Sequence, residues 1–321
     1  MTTVIYNTFA SIINFKRRKR WIYFIILVML VYMLFYWTSD GEPVFSLESR
    51  VKSGVKCKSK VYEISEILDD SAFLLERHSK QDLEDLFFDF LVTVKVQCRD
   101  QAHYGPREDG GWEVCMENFY EIKKPCLIYS FGIDHDFRFE KDIEEKLGCE
   151  VHAFDPSMEV IDHKYSSNGW YHNLGLGGEN GHMVDGTWEV KTLEQIMKDY
   201  GHYYSKPIDY LKLDIEFSEW LALPEMIASG ILSKVRQIGM EVHTPEIDSL
   251  KKPYSKCTWS QKQTVWHMLN TLKHLEREGF KLYYFTPNQR IEYLSKVSFK
   301  RRFCAFQVYF LNTKFRFPEH E

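Results

Sequence analysis

Between residues 126 and 312 the chain alternates short apolar, β-rich runs with segments whose apolar residues recur at helical spacing. The runs are CLIYSFG, CEVHAFDP, GWYHNLG, IDYLKLDIE, VRQIGMEVH, FKLYYF and CAFQVYFLN. Four helix-like segments separate most of them: FRFEKDIEEKLG, TLEQIMKDYG, SEWLALPEMIASGIL and SQKQTVWHMLNTLKHLEREG. Strand–helix repetition of this kind predicts an α/β fold with a mostly parallel sheet of seven strands covered on both faces. The last two runs have no helix between them, so an antiparallel hairpin is expected at one edge.

Upstream, residues 61–97 carry apolar residues at helical spacing, which predicts helices packed on the main domain, and GPREDGGWEVCME reads as a glycine-rich turn region. The polar stretch 38–60 suits a stem. Before it, residues 21–37 (WIYFIILVMLVYMLFYW) contain no charge and follow the basic block KRRKR. At 1.5 Å per residue such a helix is about 25 Å long, enough to span a bilayer with little tilt, with Trp21, Tyr36 and Trp37 at its interfaces. A cleaved signal peptide is the rival reading, but it ends in small residues rather than Tyr-Trp-Thr. The expected organisation is a cytoplasmic tail over 1–20, a transmembrane signal anchor over 21–37, a stem over 38–60, a helical extension over 61–125 and the main domain over 126–321. The positive-inside rule then makes this a single-pass type II membrane protein with a luminal or extracellular domain.

The 321 residues are 44% hydrophobic, enough for one large domain, and the net charge of −5 leaves no basic stripe for nucleic acid. None of the seven cysteines stands in a Cys-x-x-Cys pair, so no zinc knuckle is indicated. In an oxidising lumen Cys98 is expected to pair with Cys115, with Cys126 a competing partner, and Cys57 is the candidate for the odd thiol. No Asn-x-Ser/Thr acceptor occurs.

Ligands of open α/β sheets bind at the carboxyl ends of the strands. Gly132 ends the first run, where a missing side chain would let a ligand approach the backbone. Asp155 follows about twenty residues on, where a carboxylate on a solvent-facing turn accepts from ribose hydroxyls, or else caps the next helix. Asp214 and Glu216, two apart, would project to one side of an extended chain, with Glu216 or Ser218 as alternative helix caps. Glu241 and His243 share the same alternation, and a histidine there suits proton transfer. Asp134-His135-Asp136 has three readings: first-turn acids favouring the helix dipole, part of a cofactor loop, or the Asp-x-Asp metal site of a type II membrane glycosyltransferase.

The stretches CLIYSFGIDHDFRFEKDIEEKLGCEVHAFDPSM, NLGLGG and IDYLKLDIEFSEWLALPEM…VRQIGMEVH resemble the methyltransferase-like protein 24 family, class I S-adenosylmethionine-dependent methyltransferases related to the FkbM group. The resemblance runs from about Cys98 to the C-terminus. It implies a Rossmann-like seven-stranded sheet and S-adenosyl-L-methionine as cofactor. Gly132 would lie in the methionine-side loop, Asp155 on the ribose, the Asn-Leu-Gly turn near adenine and Asp214 at the transfer cleft. The cofactor-binding candidates are Phe131, Gly132, Asp134, Asp155, Pro156, Leu174, Gly175 and Asp214. The catalytic candidates are Asp214, Glu216, Glu241 and His243, with no metal expected. The first turn departs from the general pattern, with one glycine in FGIDHD where two or three are usual. The acceptor is unspecified, a glycan, lipid or secreted protein being compatible with a lumen. A glycosyltransferase, or a binding module that keeps the fold, is the alternative.

Overall fold

The computed structural model describes residues 77–183, 186–244, 261–290 and 292–316. The expected anchor, the stem, Cys57 and Cys257 lie outside these residues, and no described helix is long and apolar enough to cross a membrane.

A single large sheet organises the domain. Its strands, in chain order, are β1 (Leu127–Phe131), β2 (Glu150–Phe154), β3 (His163–Lys164), β4 (Gly169–His172), β5 (Tyr210–Leu213), β6 (Gln237–His243), β7 (Phe280–Pro287) and β8 (Ala305–Asn312). Across the sheet they run β7-β8-β6-β5-β1-β2-β4-β3. The five strands from β6 to β4 are parallel, and β3, β8 and β7 pair antiparallel. From β1 the order runs outward through β2 and β4 on one side and through β5 and β6 on the other. The direction of winding therefore switches between β1 and β5.

The sheet has one strand more than expected, the two-residue β3, while the last two strands form the expected antiparallel pair at one edge. β8 pairs with β6 over seven residues and with β7 on its other side, which leaves β7 at the edge. An apolar run with no crossover helix predicts antiparallel direction, but long-range pairing decides which neighbour it takes.

The helices are α1 (Lys80–Val92), α2 (Arg138–Leu147), α3 (Leu193–Asp199), α4 (Glu219–Ser229) and α5 (Gln261–Arg277). Every residue of β1 is buried, so the strand needs cover on both faces. Leu127, Tyr129 and Phe131 join one core with residues of α1, α3, α4 and α5. Ile128 points the other way, into a second core with Phe139 and Ile143 of α2 and Trp112 and Val114. Helix α1 begins at a capping box in which Ser79 Oγ accepts from Asp82 N–H and the Asp82 carboxylate accepts from Ser79 N–H.

Trp112 and Val114 belong to a hairpin, Gln101–Tyr104 paired with Trp112–Cys115, where the glycine-rich sequence reads as turn. Gln237 on β6 holds it by donating to Cys115 O (2.9 Å) and accepting from Cys115 N–H (3.0 Å), while the Tyr210 and Tyr283 hydroxyls donate to Glu113 O. Cys98 and Cys115 form a disulfide at the base of this hairpin. Cys126 pairs with Cys149, not Cys115, because these residues enter the adjacent parallel strands β1 and β2.

A stack of imidazoles closes the β2–β4 side. His152 Nδ1 lies 2.9 Å from His172 Nε2, His202 Nδ1 lies 2.7 Å from the Tyr129 hydroxyl, and Glu150 Oε1 takes both His152 Nε2 and His202 Nε2. All three rings are buried. Burial pushes His152 down to about 4 and lowers His172 and His202 as well.

Two measurements check this architecture. Non-reducing peptide mapping is expected to recover the 98–115 and 126–149 linkages, and replacing Cys126 and Cys149 by serine should cost roughly 3 kcal/mol of stability. Since the folded chain holds the three histidines neutral, its stability should be fully present above the ordinary histidine pKa of about 6.5. It should fall as pH drops from there towards 4. Urea midpoints at pH 7 and pH 5 report this, and a midpoint unchanged over that interval would count against the buried stack.

Candidate active site

The carboxyl ends of β1 and β5 meet in a backbone contact. Gly132 has φ +82°, and a Cβ there would lie 1.6 Å from the Asp214 carbonyl oxygen. The glycine is therefore required by a neighbouring strand, not by a ligand's approach. Asp214 N–H in turn donates to Phe131 O at 3.0 Å. Beneath the turn, the buried Lys212 donates to Gly132 O, sits 5.3 Å over the Trp112 ring and lies 3.9 Å from the buried Glu140 carboxylate.

Beyond Gly132 the chain holds two consecutive non-glycine residues in the left-handed region, Asp134 (φ 43°) and His135 (φ 62°), a conformation that costs of order 1–3 kcal/mol per residue. Asp155 holds the turn in place. Its Oδ2 accepts from the N–H groups of Ile133 and Asp134, both at 2.8 Å. Its Oδ1 accepts from Ser157 N–H (2.8 Å) and the Ser157 hydroxyl (2.6 Å). Burial alone would raise this carboxyl, but the four donors outweigh it and lower its pKa. Asp155 is buried and caps the short 3-10 turn Pro156–Met158, so it does not stand on a solvent-facing turn. All four of its acceptor positions are taken by the protein. A ribose could use it only by displacing one of these donors.

The other predicted contacts sort clearly. Phe131 stacks on Phe154 at 4.5 Å and Leu174 is buried, both in the helical-face core rather than at a surface a cofactor could touch. Pro156 and Gly175 pack together, with Pro156 Cγ 3.2 Å from where a Gly175 Cβ would be. Asp134 is exposed. Asp136 is committed to Arg138, whose Nε and Nη2 donate to its carboxylate at 2.6–3.0 Å and whose backbone N–H does so at 3.1 Å. An Asp134–Asp136 metal pair has lost one partner to this fork.

The catalytic candidates do converge. Asp214 faces Glu241, and burial first, then the Asp214 carboxylate, raise the Glu241 carboxyl. Glu241 lines a cleft of about 500 Å³ together with Tyr284 and Gln307 from the sheet, Asn288 just past β7, and His103 and Arg107 from a strand and the loop of the hairpin. Glu216 lies past the end of β5 in a left-handed conformation (φ 48°), so simple alternation no longer sets its direction. It nevertheless reaches His243, with Oε2 3.5 Å from Nε2. Ser218 holds the N-cap position of α4, as one of the two alternatives had it, though its side chain makes no capping bond.

Glu219, in the first turn of α4, was not among the predicted residues. It is fully buried, and its Oε1 accepts from His243 N–H (2.9 Å) and meets His243 Nδ1 (3.1 Å). Burial would push this imidazole down, but Glu219 and then Glu216 reverse it and raise it to about 10. The signal available in the sequence was an acid at the start of a largely apolar helix, EWLALPEMIAS. Lys212, a lysine inside the apolar strand YLKL, offered a similar one.

A family model described as a methyltransferase domain matches residues 76–275. The chain belongs to this methyltransferase-domain family. It is 27% identical over 247 residues to the probable methyltransferase-like protein 24 of Rattus norvegicus, covering 72% of this chain and 65% of that protein. It is also 27% identical over 213 residues to the Homo sapiens protein of the same name, covering 62% and 56%. The matched region thus spans less than two thirds of either relative's length. Among solved structures, M. capricolum TrmK in complex with the natural cofactor product S-adenosyl-homocysteine aligns with 62% of this chain and 67% of that one. At a TM-score of 0.26 and 10% identity, that likeness carries no functional argument.

Gly132→Ala is expected to disrupt the junction of β1 and β5, since backbone must move to admit the methyl group. A fall in melting temperature shows this, and an alanine variant as stable as the parent would contradict the contact. Asp155→Asn should lower stability by about 2 kcal/mol or more at neutral pH. Because the folded carboxyl is depressed, its contribution is present above the ordinary aspartate pKa of about 3.9 and is lost as pH falls through the lower folded value. Urea denaturation of parent and variant should therefore converge towards acid pH.

Proposed function

We propose that this domain transfers a methyl group from S-adenosylmethionine to an acceptor bound in the cleft beside Glu241. The observation that carries the reading is the switch in strand order between β1 and β5, with Gly132, Asp134 and Asp214 gathered at its carboxyl end in a chain of the methyltransferase-domain family. This is the strand order expected of a Rossmann-like, doubly wound domain. S-adenosylmethionine, when bound, supplies an electrophilic sulfonium methyl. The carboxylates of Asp134 and Asp214 fit its ammonium end, and Pro156, just past the end of β2 and only partly buried, fits the nucleoside side by position. Asp155 supports the reading indirectly, by shaping the loop.

An acceptor held in the cleft would direct its lone pair at that methyl carbon, the new bond forming as the carbon–sulfur bond breaks and the electron pair stays with sulfur. A hydroxyl acceptor must also lose its proton. Glu241 is placed to receive it, since a carboxyl raised by burial is a better base near neutrality than an exposed one. Holding the acceptor in line supplies much of the remaining acceleration.

The anchor over 21–37 and a luminal or extracellular domain remain part of this proposal, supported by the two disulfides. A glycan, lipid or secreted protein is the acceptor class that such a compartment offers, and nucleic acid is not expected.

Calorimetry and thermal shift with S-adenosylhomocysteine and a panel of nucleoside diphosphate sugars test the reading. S-adenosylhomocysteine should bind and the sugar nucleotides should not. Glu241→Gln should retain that binding while methyl transfer falls by roughly 10²-fold or more. A protein that binds a sugar nucleotide and not S-adenosylhomocysteine is a glycosyltransferase instead.

A further inference from the structure

We propose that Asp214, Glu216 and His243 form a site for one divalent cation of the magnesium and manganese class, and that this ion holds an oxygen-bearing acceptor at the mouth of the cleft. The acceptor half of this inference rests on the methyl-transfer reading; the ion does not. It departs from the sequence, in which no metal is expected.

The three side chains each bring one ligand atom to within 4.8 Å of the other two. They come from the ends of the adjacent parallel strands β5 and β6, so the sheet itself sets their spacing. The 3.5 Å between Glu216 Oε2 and His243 Nε2 suits two donors on one ion, because ligands about 2.1 Å from a common centre lie about 3 to 4 Å apart. Two carboxylates and one imidazole are also a donor set for a cation that prefers oxygen.

The second observation stands behind the ring. Glu219 Oε1 meets His243 Nδ1 at 3.1 Å, which leaves Nε2 as the outward nitrogen and fixes the imidazole's orientation. A carboxylate behind a histidine is the support that metal-bound imidazoles recurrently have. Glu219 is fully buried, and its Oε2 has no hydrogen-bond partner. Counting charge, the carboxyls of Asp214, Glu216, Glu219 and Glu241 face the single imidazole of His243. A buried carboxylate with a free oxygen in such company is costly unless positive charge is supplied.

Asp214 also faces Glu241, which lines the cleft, so the ion would border the space where the acceptor sits. Positions on the ion not filled by protein would then be taken by oxygens of the acceptor. A hydroxyl-bearing acceptor, and not an amine, is the class this selects.

A second cluster, Glu150 with His152 and His202, also brings its ligand atoms within 4.8 Å. There Lys206 already donates to the other Glu150 oxygen, and both imidazoles are bonded on each side. It serves as the internal control.

Manganese(II) is the probe, added to the metal-stripped full chain and followed by titration calorimetry and by electron paramagnetic resonance, with neither methyl donor nor acceptor present. The chain is expected to bind a single equivalent, displaced by excess magnesium. Glu216→Gln, at an exposed position that cannot affect folding strongly, should weaken binding at least tenfold, and His243→Gln likewise. His202→Ala should bind as the parent does. The inference is overturned if manganese does not bind at millimolar concentration, or if Glu216→Gln binds normally while His202→Ala does not. Loss of S-adenosylhomocysteine binding with manganese binding intact would remove the methyl-transfer reading and leave the ion site standing.

Discussion

The contact between Gly132 and the Asp214 carbonyl is the constraint on which the site depends. It brings the ends of β1 and β5 closer than any side chain would permit, at the place where the winding of the sheet reverses. Because β5 is pulled in, Asp214 and Glu216 leave it beside the end of β6, where Glu241 and His243 stand. Because β1 must turn sharply, the residues after Gly132 adopt left-handed conformations that need an external tie. Asp155 supplies that tie from β2, so three strand ends are joined through one small turn.

This arrangement replaces glycines with a carboxylate. A loop with several glycines turns sharply because its residues tolerate positive φ. Here Asp134 and His135 do so with side chains, and two backbone N–H bonds to one buried carboxylate offset the strain. The substitution has a functional consequence, since the same carboxylate is then occupied. Charge is handled differently across the site. Asp155 is surrounded by donors and stays ionised, whereas Glu241 shares its surroundings with another acid and is raised. Two carboxyls near strand ends thus behave oppositely, one held ionised by its donors and one pushed towards its neutral form by burial and a neighbouring acid.

The two faces of the sheet divide the work. The helical layer of α1, α3, α4 and α5 supplies most of the apolar burial and delivers Glu219 to His243 from the start of α4. The opposite face carries α2 and the disulfide-linked hairpin, whose residues His103 and Arg107 wall the cleft. Gln237, Tyr210 and Tyr283 fasten this hairpin through its backbone, and its own Trp112 and Val114 anchor it in the core.

Sequence by itself determined the elements. Dense apolar runs and helical spacing placed seven of the eight strands and the helices among them, the exposed two-residue β3 excepted, because burial on both faces leaves a signature in every residue of a parallel strand. The same reading located Gly132, Asp155, Asp214, Glu216, Glu241 and His243, since all stand where an apolar run ends. What each does there was decided only by tertiary structure. Gly132 serves a carbonyl 82 residues away, Asp155 spends its oxygens on the loop after β1, Phe131 and Leu174 turn into the core, and Glu219 and Lys212 enter from positions that looked like blemishes in apolar segments. The insertion of β8 between β6 and β7 and the pairing of Cys126 with Cys149 belong to the same category. Local pattern records how far a residue is buried. It does not record which distant backbone or charge it is buried against, and at this site that partner sets the chemistry.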